Sequence, residues 1–279
     1  MGRGVTARRA CEIVAISTAA PYRKRAVDKD AALRARLRCM WRPNMGYRMA
    51  HALLRGEFAP LNVKRVYRLW KAEGLGRVKR HRKRRTGSPV PLAADRPNQV
   101  WCVDFCFDWC LNGSKLKILS VKDEFTKDLL ALEVGTTFRS ARVRQVLTEL
   151  FESRGAPSFV RSDNGSEFVA RSLAVFLSRS GCLSHFIRPG SPWQNGHAES
   201  FISRLRAECL DVELFHNLTD AQVKLRLYRR YYNDERPHSS LGYRPPAASA
   251  RVLELGRATP SLSPQRSMPQ STSSGEDSP

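Results

Sequence analysis

Apolar and polar positions alternate from Trp101 to Asp108, with Trp101, Val103, Phe105 and Phe107 interleaved with Cys102, Asp104, Cys106 and Asp108. A period of two predicts a strand. Asn112-Gly113 is a favoured pair for a tight hairpin, so KLKILSVKDE is read as the returning second strand and DLLALEVG as a third. The period then lengthens. In ARVRQVLTELFESRG, Val143, Val146, Leu147, Leu150 and Phe151 form one helical stripe, Gly155 ends it and Pro157 forbids continuation. SFVRSD predicts a short strand ending at Asp163, SEFVARSLAVFLSRSG one helix closed by Gly181, and CLSHFI a fifth strand. Around 191–210 the start of the next helix falls between 192 and 197. Ser191 with Gln194 resembles a capping box and Pro192 suits the first turn, but Asn195-Gly196 weakens it. Ile202, Leu205 and Cys209 continue its apolar face, and TDAQVKLRLYRRYYN predicts a helix capped at Thr219/Gln222 with a Val223, Leu227, Tyr231 stripe. Three antiparallel strands followed by alternating helix and strand describe an α/β layered core.

The amino-terminal third has only the helical period. Residues 6–25 predict a short helix, a turn and a basic segment, and residues 28–40 a helix with Leu33 and Leu37 at helical spacing. NMGYRMAHALLRGE and NVKRVYRLWKAEGLG predict two helices joined by a short turn. The second has Val63, Val66, Tyr67 and Trp70 on one face, Asn62 at its start and Gly74 at its end. Lys64, Arg65, Arg68 and Lys71 occupy the opposite face, an arrangement that suits a DNA-binding helix-turn-helix or a solvated hairpin. These patterns divide the chain into a basic helical region over 1–76 (helix-turn-helix about 44–76), a linker over 77–97, a core over 98–250 and a Ser/Pro-rich tail over 251–279, expected to be disordered.

Charge sharpens this division. The net charge is +22, and residues 1–90 carry 24 Lys+Arg against 5 Asp+Glu, leaving the rest of the chain nearly balanced. Such an arm meets a polyanion, and nucleic acid is favoured over a membrane because no apolar run of spanning length and no basic amphipathic anchor occurs. Seven of the nine residues in RVKRHRKRR (77–85), including Arg82, Arg84 and Arg85, are basic, so this linker would favour any nearby phosphate backbone without reading sequence. The seven cysteines form no C-x-x-C pair and sit mostly in apolar runs, which predicts buried thiols in a reducing, cytoplasmic setting. Cys102, Cys106 and Cys110 share a strand face, but no partner at zinc spacing follows them.

Three acids stand in distinct local settings: Asp104 within a strand, Asp163 at a strand end and Glu199 on a helix, with 58 and then 35 residues between them. Taken singly they read as a polar strand residue, a turn and a surface ion pair. Taken together they could hold Mg²⁺ or Mn²⁺. Hydrolysis and transfer at a phosphodiester can use two divalent cations about 3.5–4 Å apart, held by carboxylates and substrate oxygens.

The words WCVD (101–104), SDNGSEF (162–168), SPWQNGHAESF (191–201) and YNDERPHSSLGYRPPAA (232–248), with GYR…HALL…NVKRVYRL (46–69), occur in a distinctive order. In them the chain resembles the second-frame transposases of the insertion-sequence-three family, whose catalytic core is of the retroviral-integrase type. The resemblance covers roughly residues 5–250. It implies a ribonuclease-H-like five-stranded mixed sheet flanked by helices, preceded by a small all-α helix-turn-helix region. It also implies a metal-binding catalytic triad at Asp104, Asp163 and Glu199, and a basic residue seven positions after the glutamate, here Arg206. Two helical turns on from Glu199, Arg206 would share its face and hold DNA phosphate. The family often has threonine where Cys106 stands.

Expected partners are double-stranded DNA (element ends and target), further copies of the chain on DNA, and a first-frame product, separate or fused upstream; location at the nucleoid follows. Trp193, Gln194 and His197 are candidates for touching DNA ends, and His238 for fixing a turn. A nuclease without strand transfer and a non-enzymatic DNA-binding regulator are the rival readings. The first leaves the helix-turn-helix and closing words unexplained, and the second leaves the three acids unexplained.

Overall fold

The computed structural model describes residues 5–19, 28–76, 93–186 and 195–258, with the side chains of 253–258 excepted. Arg82, Arg84, Arg85, Trp193 and Gln194, and the Ser191/Gln194 capping box, lie outside the described residues.

Four helices open the chain: α1 (Ala7–Ile13), α2 (Ala31–Met40), α3 (Tyr47–Leu54) and α4 (Val63–Ala72). Leu33 and Leu37 of α2, Met49, Ala50 and Leu54 of α3, and Val66, Leu69 and Trp70 of α4 close one small core. The buried stripe of α4 is therefore Val66–Leu69–Trp70. Val63 and Tyr67, expected inside, are 38% and 50% exposed, and Tyr67 packs on Tyr47 with ring centroids 4.8 Å apart. The α3–α4 connection, 55–62, is longer than the short turn expected, and a His51 ring nitrogen lies 2.9 Å from the Leu61 carbonyl across it. Asn62 caps α4 as expected, its side chain accepting from Lys64 N at 2.8 Å, and Gly74 ends the helix at φ +67°. Removing the cap oxygen in Asn62→Ala should cost α4 about 1 kcal/mol, read as faster amide exchange in α4 with the sheet amides unchanged.

The core is a five-stranded sheet in the order β3-β2-β1-β4-β5: β1 (Val100–Trp109), β2 (Lys115–Asp123), β3 (Leu129–Gly135), β4 (Phe159–Ser162) and β5 (Leu183–Phe186). β1, β2 and β3 are antiparallel, whereas β4 and β5 run parallel to β1. This is the mixed sheet that the resemblance implied. The β1–β2 hairpin turns through Gly113 at φ +79°, a left-handed conformation that favours glycine. Alternation along β1 sorts its side chains between two apolar layers. Trp101 and Val103 pack under α5 (Ser140–Arg154) and α7 (Arg171–Arg179). Cys106 packs with Phe201 and Leu205 of α8 (Gly196–Leu205) and with α9 (Leu218–Asp234). Asp104 has the parity of Cys106, so the alternation assigns it to the α8 face.

Four local expectations change. The segment 166–179 is two helices, α6 (Ser166–Val169) and α7, broken at extended Ala170. In one straight helix Phe168 would lie well round the circumference from Leu173. The break lets Phe168 stack on Phe105, centroids 5.1 Å apart, while Leu173 and Leu177 pack in the same apolar layer. The cap of α9 is Asn217, accepting from Asp220 N at 3.0 Å, instead of Thr219. The buried stripe of α9 is Ala221, Leu225, Tyr228 and Tyr232, with Val223 and Leu227 at the surface, because that face brings two tyrosines into the layer with Phe201. Finally, α10 (Pro246–Ala258) runs past Arg251: proline suits a first helical turn and the following residues are mostly good helix formers. The expected tail over 251–279 is thus helical as far as 258. Among the described residues no helix is long and apolar enough to cross a membrane.

Candidate active site

The register of β1 against β4 explains why two acids with 58 residues between them meet. Their parallel pairing ends at Cys102↔Arg161, and Asp104 and Asp163 each lie two residues further on. They therefore continue the same level and parity on neighbouring strands, which lie about 4.8 Å apart where they pair. Beyond Cys102, β1 has no strand partner on that side among the described residues. Glu199 approaches from above, in the first turn of α8. The mid-strand, strand-end and helix positions expected of the three acids are those found.

Asp104 is half-buried. Its Oδ1 accepts from Phe105 N at 2.8 Å and its Oδ2 from Asn195 Nδ2 at 3.2 Å. Burial pushes its carboxyl up from an ordinary 3.8 to about 7, and the charges of Asp163 and Glu199 push in the same direction. Asp163 and Glu199 are thus each within electrostatic reach of Asp104. Asp163 Oδ1 accepts from Gly165 N at 3.1 Å. A Cβ on Gly165 would stand 3.1 Å from that oxygen and 3.3 Å from Glu167 Oε2, so the absence of a side chain lets the turn close around the carboxylate. Glu167 itself is paired with Lys117.

The donor chemistry suits a hard divalent cation: carboxylates that feel one another's charge, with Asp104 kept from easy ionisation chiefly by burial. Among the described residues no three His, Cys, Asp or Glu side chains are grouped closely enough to hold an ion themselves. Substrate oxygens would complete such a site, the usual habit of Mg²⁺. Cys102 and Cys106, on the same strand face, are buried thiols pushed up to about 12, chiefly by burial. They are held in the protonated state, unsuited to metal or nucleophilic work. Of the seven cysteines Cys39 alone is exposed, against the expectation of burial.

The raised Asp104 pKa has a consequence for stability. The native chain holds this proton more tightly than an unfolded one, so the penalty for charging Asp104 is absent below about pH 4, grows as pH rises, and is complete above about pH 7. In EDTA, Asp104→Asn should be more stable than wild type at about pH 8, by up to about 4 kcal/mol. The difference should vanish near pH 4; urea unfolding at the two pH values measures it.

Behind the acids lies a charged floor that the sequence reading passed over. Arg161, fully buried on β4, donates from NH1 to both oxygens of Glu124 at 2.7 and 2.9 Å. Lys122 is buried beside Cys102 and driven down to about 8, first by burial. Burial raises the Glu124 carboxyl and Arg161 draws it back. His197 Nε2 comes within 3.9 Å of Glu124, but burial and the surrounding Lys127, Lys122 and Arg161 charges push His197 down to about 4. The contact is therefore one of a neutral ring, not an ion pair. A signal was present: on the face that begins with Leu116 and Ile118, every second position then turns polar, at Ser120, Lys122 and, just past β2, Glu124.

The candidate DNA contacts fare differently. Arg206, exposed just beyond α8, donates from NH2 to the Phe107 carbonyl at 3.0 Å, on β1 past the last pairing with β4. The chain continues from it as a π-helical turn, Arg206–Leu210. On α4, Arg65 Nε and Arg68 NH2 donate to the two oxygens of Asp30 at 2.7 and 3.0 Å. Asp30 is held below the usual carboxylate range, by the Arg65 hydrogen bond first. Arg68 still leaves 70% of its side chain exposed, and Lys64 is exposed. His238 is buried, a ring nitrogen 3.3 Å from the Tyr232 carbonyl, and its backbone bridges to Arg244, as a turn-fixing residue should.

A 3-2-1-4-5 mixed sheet with acids level on its two central strands and a third on the covering helix defines the integrase type of core. Two integrase core domain families match residues 94–192 and 180–246, and an HTH-like domain family matches 27–84. The chain is 38% identical to the insertion element IS476 uncharacterized 39.2 kDa protein of Xanthomonas euvesicatoria, over 91% of this chain and 75% of that one. It is 30% identical to the transposase InsD of insertion element IS2 in Escherichia coli, over 78% and 77% respectively. Among solved structures, a chain of the simian T-cell lymphotropic virus intasome superposes with a TM-score of 0.47 at 14% identity, covering 82% of this chain and 81% of that one. The chain belongs to the insertion-element transposases, and within them to the second-frame type of the insertion-sequence-three family.

Proposed function

We propose that this transposase is a polynucleotidyl transferase whose catalytic carboxylates are Asp104, Asp163 and Glu199, and that it cleaves DNA to expose a 3′-hydroxyl at the element end and then joins that end to target DNA. The observation that carries this reading is the continuation of the Cys102↔Arg161 register, with Asp104 driven up to about 7 by burial beside Asp163 and Glu199. A bound divalent cation, Mg²⁺ or Mn²⁺ and two of them with DNA present, would supply positive charge at the reacting phosphorus and ease deprotonation of the attacking oxygen. The three carboxylates hold that charge in place; Gly165 N–H and Asn195 Nδ2 fix the orientation of two of them. Arg206, anchored on β1 beside the site, keeps its guanidinium at the surface where phosphate would pass.

Lys64 and Arg68 on α4, with Arg82, Arg84 and Arg85 in the basic linker, bind the DNA backbone. Arg65 acts chiefly by holding α4 to Asp30. Several copies of the chain assemble on the element ends, and a first-frame product joins them as partner or fusion, in the cytoplasm at the nucleoid.

The test is product analysis with purified full-length protein, Mn²⁺ or Mg²⁺, and labelled element-end duplex. Nicked strands together with strands joined to target DNA are the expected result. Nicked products alone point to a nuclease, and DNA retention without either product to a binding protein.

A further inference from the structure

Asn195 immediately precedes the helix that carries Glu199, and only 4% of its surface is exposed. An asparagine in this position usually caps its helix by accepting from a first-turn N–H. Here the side chain makes no such bond. It reaches instead across 91 residues of sequence, where Nδ2 donates to Asp104 Oδ2 at 3.2 Å. Its Oδ1 is buried with no hydrogen-bond partner among the described residues. A buried acceptor left unsatisfied is destabilising, so an asparagine that neither caps nor completes its own bonding is hard to explain by folding alone.

The geometry around it explains more. Asp104 Oδ1 is already fixed by Phe105 N at 2.8 Å, and Asn195 takes the other oxygen. With both oxygens held, the carboxylate has one preferred orientation. Asn195 and Glu199 are four residues apart, about one helical turn, so the same hydrogen bond fastens the start of α8 to β1. The spacing between Asp104 and Glu199 therefore passes through this amide. Oδ1, on the same carbon as Nδ2, leaves a neutral oxygen beside the carboxylates, a type of donor that hard divalent cations and their surroundings accept readily.

We propose that Asn195 is a positioning residue of the metal site. Its Nδ2 orients Asp104 and sets the distance to Glu199, and its Oδ1 serves the same site as a neutral acceptor. The inference rests on the reading of Asp104, Asp163 and Glu199 as metal-holding carboxylates. It predicts a split between stability and metal affinity that a purely structural role would not produce. Asn195→Ala removes one hydrogen bond and one orphaned oxygen together, so the urea unfolding midpoint should not fall. Supporting groups around metal ligands typically change affinity by about 10–100-fold, so the Mn²⁺ half-saturation should rise by about tenfold or more.

Titration of the full chain with Mn²⁺ alone, followed by electron paramagnetic resonance of the free ion, reads this directly. Asn195→Ser, which retains a small polar side chain too short to reach Asp104, decides the matter should the alanine variant not fold. Wild-type Mn²⁺ affinity in a folded variant overturns the proposal, as does an affinity loss matched by a loss of stability. Glu199→Gln measured alongside separates the two levels of the argument. If it loses Mn²⁺ while the Asn195 variants keep it, the carboxylate site stands and the role of Asn195 falls. If Glu199→Gln also binds Mn²⁺ like wild type, the site itself is wrong and both fall.

Discussion

Glu199→Gln is expected to abolish both nicking and joining of element-end DNA, lowering each rate by about three orders of magnitude or more. The substitution changes no volume, and Glu199 is half-buried in the first turn of α8, where an amide is tolerated. What disappears is one negative charge from a set of three. Metal-assisted charge stabilisation at phosphorus contributes several kcal/mol to such reactions, and each 1.36 kcal/mol is a factor of ten in rate. Duplex binding should survive, because the helical region over 28–76 closes an apolar core of its own that does not include Glu199. Gel assays of nicked and joined products, beside a mobility-shift assay on the same DNA, make the comparison. Joining within about tenfold of wild type would remove Glu199 from the catalytic set.

The second large effect is on stability. Arg161→Met should destabilise the core by about 3–5 kcal/mol, because it leaves Glu124 buried and charged without its main partner. Protonating Glu124 relieves the problem only in part, so the loss should shrink as pH is lowered toward 5 or so. The double variant Arg161→Met, Glu124→Leu should recover much of the loss, since the lone charge and not the missing attraction is what costs. Urea unfolding of the single and double variants at about pH 8 distinguishes this from simple loss of side-chain packing, which the double variant would not repair. Arg161 also stands on β4 two residues before Asp163, which directly follows the strand, so nicking should fall further than stability alone explains.

Much of the fold was legible from the chain itself. The period of two in β1, the Asn112-Gly113 turn and the Gly155 stop acted locally, and each appears where it was expected. The failures have a common form. On α4 and α9 more apolar stripes were available than there were faces to bury. The choices of Val66–Leu69–Trp70 and Ala221–Leu225–Tyr228–Tyr232 were made by the neighbouring layer. The break at Ala170 arose in the same way, from the demand of Phe105 for Phe168. The helix alone also gave no sign that Arg65, read as a DNA contact, pairs with Asp30, 35 positions away.

For the candidate site, the sequence by itself determined which acids were worth watching and in what local settings they would stand: Asp104 mid-strand, Asp163 at a strand end, Glu199 on a helix. It also determined the concentration of positive charge before residue 90. Periodicity and capping act over a few residues, so they are written into short words. Only the tertiary structure decided that Cys102 pairs with Arg161, and hence that Asp104 is level with Asp163. It likewise decided that Asn195 turns from its own helix to Asp104, and that Lys122, Glu124 and Arg161 lie beneath the site as buried charges. Strand register and burial depend on partners far along the chain, and a charge in an alternating strand reads the same whether that face meets solvent or the inside of a core.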